Sequence, residues 1–117
     1  MARELEYLED MRVAAEMAAN YAREVSRKRF KESSLHQDAV MRQISNLGEA
    51  ARRISDEEQM KIKGIPWHKI IGMRNRLVHE YNEIDVEEVW RVAKRELPEL
   101  AEKLAGIIAK MEGKQGR

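Results

Sequence analysis

Val40-Met41-Arg42-Gln43-Ile44-Ser45-Asn46-Leu47-Gly48-Glu49-Ala50-Ala51-Arg52-Arg53-Ile54 carries its apolar residues at alternating spacings of four and three. Val40, Ile44, Leu47, Ala51 and Ile54 therefore line one stripe of an α-helix, the seam of a packed helical bundle. Ser34 with Gln37 has capping-box spacing and is expected to start this helix. Gly48 falls beside the seam. It is either a place where another backbone approaches closely or a tolerated interior glycine, and spacing leaves both readings open.

The same period extends to both sides. A first helix is expected over residues 3–28, with Leu5, Leu8, Met11, Ala15, Ala18, Ala22 and Val25 on one face. The run Arg27-Lys28-Arg29-Phe30-Lys31 should close it, since basic residues suit a helix C-terminus. Ser55 with Glu58 caps a short helix to about Lys63, followed by a break at Gly64-Ile65-Pro66. Pro66 suits the first position of the next helix, expected from Trp67 to about Tyr81. Asp85 with Glu88 caps the last one, whose stripe runs through Val86, Val89, Ala93, Leu97, Leu100, Leu104, Ile107 and Met111. Pro98 inside that stripe predicts a kink or break near Leu97, and the tail 113–117 should fray. No segment alternates with period two for long enough to argue a strand. The expected fold is all-α: one domain over 1–117, an up-and-down bundle of four to five helices.

Composition narrows the function. A chain of 117 residues, 43% hydrophobic and 37% charged, can bury one narrow core and solvate the rest. The net charge of +1 gives no global pull on nucleic acid, so any RNA contact needs a local basic patch. Without cysteine there are no disulfides, thiolate metal sites or thiol nucleophiles. No stretch approaches the about 18 apolar residues of a membrane span, and no apolar signal region follows Met1, so a cytoplasmic protein is expected.

The chemistry concentrates in Arg74-Asn75-Arg76-Leu77-Val78-His79-Glu80-Tyr81. On a helical wheel Trp67, Ile70, Ile71, Leu77, Val78 and Tyr81 fall within about 60° of Arg74, which places a guanidinium in the middle of an apolar face. Such a charge is costly unless paired. It is either a structural arginine bonded to a carboxylate or to helix-end carbonyls, or an arginine held in a cleft to grip a phosphate. His79 lies about 140° away, beside His68 and Asn75. A single histidine near a helix end is ordinarily structural, yet the same side chain can move protons near neutral pH. His68 and His79 lack metal-ligand spacing and no acidic cluster supports them, so no metal or cofactor is expected. Arg74 and His79 cannot converge through one straight helix. Either the helix end unwinds near Val78, or a long side chain reaches round, or a second subunit completes the site, which predicts a two-fold dimer.

These residues, with their neighbours, carry a resemblance. Asn46-Leu47-Gly48-Glu49-Ala50-Ala51, Ile65-Pro66-Trp67, Met73-Arg74-Asn75-Arg76-Leu77-Val78-His79-Glu80-Tyr81, Ile84-Asp85 and Val89-Trp90 resemble, in order, the HepT-like toxins of the HEPN superfamily, over roughly residues 38–105. The resemblance implies an all-helical homodimer that acts as a ribonuclease, with Arg74 and His79 as the catalytic pair and Asn75 in support. It also implies a partner antitoxin, a minimal nucleotidyltransferase, which in some pairs blocks the toxin by transferring AMP onto the motif tyrosine, here Tyr81. Asn82 departs from the aromatic more usual after that tyrosine. RNA supplies its own 2′-hydroxyl nucleophile, so His79 as general base or acid and Arg74 against the phosphorane would yield a 2′,3′-cyclic phosphate.

Two other readings use the same residues. In a non-catalytic module, Arg74 and His79 would only bind a nucleotide or a nucleotidyltransferase subunit. In a structural dimerisation bundle, the stripes are core and nothing more. Trp67 and Trp90 read as buried anchors more readily than as base-stacking platforms, and Arg91-Val92-Ala93-Lys94-Arg95 reads as a solvated helix face.

Overall fold

The computed structural model describes residues 2–115, apart from the side chains of Ala2, Tyr81, Lys114 and Gln115. Its helices are α1 (Ala2–Arg23), α2 (Arg27–Glu32), α3 (Ser34–Arg53), α4 (Asp56–Lys61), α5 (Trp67–His79), α6 (Val86–Arg91) and α7 (Leu97–Gln115). A 3-10 turn, Tyr81–Glu83, follows α5, and a π turn, Val92–Glu96, joins α6 to α7. Among the described residues there is no strand. The expected all-α bundle is the observed architecture.

Small residues set how closely the layers approach. Ala14, Ala15, Ala18, Ala19 and Ala22 of α1 are all buried, along with Leu8 and Met11. An alanine face lets both α3 and α7 lie against α1. The α3 seam is buried as its spacing predicts: Val40, Ile44, Leu47, Ala51 and Ile54 are each at most 2% exposed. Truncating Ile44 to alanine would remove about 2–5 kcal/mol of packing. Beside the seam, α3 also receives α5, the helix that carries the Arg-x4-His motif. α3 is thus the main neighbour of the motif helix.

Several boundaries differ from the sequence expectation. The first helix stops at Arg23, not at residue 28, because Ser26 caps a new helix by accepting the Arg29 N–H. That short helix turns Phe30 into the core, where its ring lies 5.3 Å from that of Trp90. The basic run therefore forms an element of its own. Ser33, not Ser34, caps α3 and accepts the His36 N–H, a contact worth about 1 kcal/mol. Gln37 does reach back, to the Phe30 and Lys31 carbonyls. Pro66 stands one position before α5 rather than at its start, and its carbonyl accepts the Ile70 N–H. The turn before it uses Gly64 at φ +93, a conformation glycine adopts without strain.

The kink or break expected near Leu97 is met by a π turn, and α7 runs on through Pro98. The irregularity falls just before Leu97, as a π turn in which the Leu97 N–H bonds to the Val92 carbonyl. A proline lacks the N–H and its ring crowds the carbonyl four residues back, here Lys94. The extra residue in the π turn takes up that conflict. Further on, α7 continues to Gln115, into the segment expected to fray; Gly116 and Arg117 lie outside the described residues. Among the described residues no helix is long and apolar enough to cross a membrane.

Candidate active site around the motif helix

The motif helix is held from three sides. Trp67, Ile70 and Leu77 are buried, and the Trp67 indole N–H donates to the Ile62 carbonyl at 3.2 Å. Lys69 pairs with Glu96 of the π turn at 2.5 Å. Arg76 pairs with Glu88 of α6 at 3.2 Å, and Arg74 with Glu49 of α3 at 3.3 Å. Exposed pairs of this kind contribute about 0–1 kcal/mol each. Their role is to hold α5 in register, while the apolar contacts supply most of the stability.

Arg74 is the partly buried member, with 23% of its side chain exposed. Its position depends on Gly48. A Cβ at residue 48 would lie 2.2 Å from Arg74 Cβ and 3.2 Å from the Ile70 carbonyl oxygen. Of the two readings of Gly48, close backbone approach is the one realised: α5 presses its backbone onto the glycine. The Arg74 stem lies on α3, and its guanidinium emerges at the rim. There Nη1 donates to Asn75 Oδ1 at 3.0 Å, and Nη2 meets Glu49.

Glu49 is the carboxylate that the arginine required and that periodicity alone left unnamed. The Arg52 guanidinium donates to Glu49 Oε2 at 2.8 Å, and Arg53 Nε donates to the same oxygen at 3.3 Å. The Arg52 hydrogen bond above all holds the Glu49 carboxyl below the usual carboxylate range; burial opposes it, and Arg53 and Arg74 add smaller lowering effects. Its place follows from the tertiary contact at Gly48. Glu49 stands next to the glycine that faces α5, within reach of the Arg74 guanidinium.

His79 is the last residue of α5 and is exposed. Among the described residues it has no hydrogen-bond or ion-pair partner, so its ring is free for another role. Helical geometry carries α5 regularly through Val78 to His79, so of the three ways to join Arg74 and His79, unwinding before His79 is not the one used. Of the remaining ways to join the motif, Asn75 supplies part of one. It lies between Arg74 and His79 around the helix and draws the guanidinium toward that flank. Val78, expected on the buried face, is 49% exposed, because α3 covers the Ile70–Leu77 side of the wheel. The exposed flank thus carries Val78, Asn75, His79, His68 and Gly72.

Tyr81 departs from the wheel altogether. Glu80 takes φ −126 and ψ 43, which ends the helix, and Tyr81 opens the 3-10 turn. Its expected place within about 60° of Arg74 assumed a continuous helix. The Tyr81 side chain lies outside what is described. Trp67 is a buried anchor; Trp90 is half-buried between Phe30 and the Lys94 ammonium, which stands 5.5 Å from its ring centre. Among the described residues no group of three His, Cys, Asp or Glu side chains could hold a metal ion.

Comparison with known proteins identifies the family. Residues 11–107 match the family described as Ribonuclease HepT-like. A Methanocaldococcus jannaschii protein named as a candidate RNase, MJ1216, is 32% identical over 110 residues, covering 94% of this chain and 85% of its own. A protein of Thermococcus cleftensis named "Probable ribonuclease HepT" is 33% identical over 95 residues, 81% of this chain and 86% of its own. A further candidate RNase, from Caldanaerobacter subterraneus, is 29% identical over 104 residues, 89% of this chain and 93% of its own. No solved structure matches the chain significantly.

Proposed function

Because this chain belongs to the HepT-like ribonuclease family of the HEPN superfamily, we propose that it is the toxin of a toxin–antitoxin pair, a metal-independent endoribonuclease working through Arg74 and His79. The observation that carries the reading is the asymmetry of the motif helix. Its arginine is anchored between two helices and aimed through Asn75 toward an exposed flank. Its histidine stands on that flank without a partner among the described residues.

The chemistry follows from the residue types. The 2′-oxygen attacks the adjacent phosphorus, the bond to the 5′-oxygen breaks, and a 2′,3′-cyclic phosphate and a 5′-hydroxyl result. His79 takes the 2′-hydroxyl proton or delivers one to the leaving oxygen, a contribution of roughly 10² to 10⁴-fold. The Arg74 guanidinium stabilises the phosphorane charge with forked donors. A two-fold dimer through the exposed flank brings two copies of His79 to one cleft, one as base and one as acid. The exposed Val78 and open Gly72 favour that flank as the contact. Control comes from a minimal nucleotidyltransferase antitoxin that transfers AMP from ATP onto the Tyr81 hydroxyl and releases pyrophosphate.

The test is cleavage of RNA by the isolated protein in EDTA, with DNA as the resistant control and end analysis for the cyclic phosphate. Arg74→Ala and His79→Ala should each abolish cleavage with helical circular dichroism intact. A magnesium requirement, or full activity in His79→Ala, would overturn the mechanism.

A further inference from the structure

The Arg74 guanidinium is not free in this structure. Glu49 Oε1 lies 3.3 Å from Nη2, where an RNA phosphate oxygen would have to sit. The two groups form an ion pair without hydrogen-bond alignment. The hydrogen bonds of Glu49 go elsewhere, to Arg52 at 2.8 Å on Oε2 and 3.3 Å on Oε1, and to Arg53 at 3.3 Å on Oε2. Arg74 in turn keeps a separate hydrogen bond to Asn75. Each partner is therefore secured without the other. The contact between them is the weak link in the chain Arg53–Glu49–Arg74–Asn75.

We infer that Glu49 is an exchangeable counter-ion for Arg74: it holds the guanidinium in place in the free protein and yields it to a phosphate of bound RNA. The inference rests on the reading of Arg74 as a phosphate ligand. A partly buried arginine with no carboxylate would carry an uncompensated desolvation cost, and a fully hydrogen-bonded one would not release. The loose ion pair avoids both. When a phosphate arrives, the guanidinium changes anion without leaving its seat on Gly48, and Glu49 stays neutralised by Arg52 and Arg53. The low protonation tendency of Glu49 suits a counter-ion and not a general acid. Glu49 is thus a positioning residue: it acts on RNA binding through Arg74 and touches no reacting atom.

The experiment measures binding of an uncleavable 2′-O-methyl RNA oligonucleotide to the full chain, and steady-state cleavage of the unmodified RNA. Glu49→Gln is compared with wild type, Arg74→Ala, the double variant and Glu49→Asp. Glu49→Gln should tighten Kd for the 2′-O-methyl RNA about tenfold, and the gain should appear in KM rather than in kcat. Glu49→Asp keeps the charge and should restore weaker binding. In the Arg74→Ala background, Glu49→Gln should tighten binding by less than about twofold. An equal tightening in both backgrounds would make Glu49 a general negative field and overturn the inference. So would unchanged or weaker binding in Glu49→Gln, or the absence of any binding by wild type and variant alike. The expected tightening without cleavage of unmodified RNA by wild type would sustain the inference and overturn the catalytic reading instead.

Discussion

Gly48 of α3 and Arg74 of α5 touch so closely that a methyl group on residue 48 would lie 2.2 Å from Arg74 Cβ. The contact fixes where the only partly buried guanidinium of the motif helix comes to the surface. Gly48→Ala should therefore push α5 outward, destabilise the fold by about 1–3 kcal/mol and remove ribonuclease activity together with it. Gly106 of α7 faces open space, so Gly106→Ala should stabilise by up to about 1 kcal/mol through helix propensity alone. Urea melts of the two variants check the pair; a neutral Gly48→Ala would mean that α5 can shift freely on α3.

Acid should loosen the same contact. Glu49 has a folded pKa depressed chiefly by Arg52, and Glu87 one depressed by Arg27 and Lys31. A depressed carboxyl contributes stability that is complete above its unfolded value, about 4.3 for Glu, and is lost as pH falls through the lower folded value. Stability should thus be flat from pH 7 down to about 4.3 and decline below it. Glu49→Gln should make that decline shallower. Urea midpoints at pH 7, 5, 4 and 3 measure it, and an unchanged acid limb in Glu49→Gln would show that the pairs to Arg52 and Arg74 are energetically idle.

Assembly can be tested at Val78. This side chain is 49% exposed beside His79, and a dimer through that flank would bury it. Val78→Lys should shift sedimentation from dimer to monomer at micromolar concentration and abolish cleavage, while leaving the monomer fold intact because the residue is outside the core. A wild-type monomer that cleaves RNA would remove the need for a composite site.

Modification by the partner should depend on one hydroxyl. Tyr81→Phe should retain most of the ribonuclease activity, since the proton transfers are assigned to His79, and should resist AMP transfer. Incubation of wild type and variant with the nucleotidyltransferase and ATP, read by intact mass and an RNA cleavage assay, separates the outcomes. An AMP adduct on the Phe variant would move the acceptor elsewhere, to Tyr7 or Tyr21. Loss of cleavage in the unmodified variant would make Tyr81 part of the catalytic machinery.

The helices and their buried stripes were legible in the residue order, because the period of apolar residues and the caps Ser55 and Asp85 act within a few positions of themselves. Val40, Ile44, Leu47, Ala51 and Ile54 are core for that reason. Ends misjudged by a few residues, at Arg23, Ser33 and His79, are places where two local signals compete and packing chooses between them. Phe30 is the example: its burial against Trp90 favours a separate α2 over an extension of α1. The motif residues could be named from their order along the chain, but not their surroundings. A guanidinium on an apolar face demands a carboxylate, and nothing local says that it is Glu49, 25 positions earlier. That pairing, the close approach at Gly48 and the exposure of Val78 depend on which side of α5 meets α3. Non-local contact alone settles that side, since a helical wheel gives the order of the faces and not the neighbour each one meets.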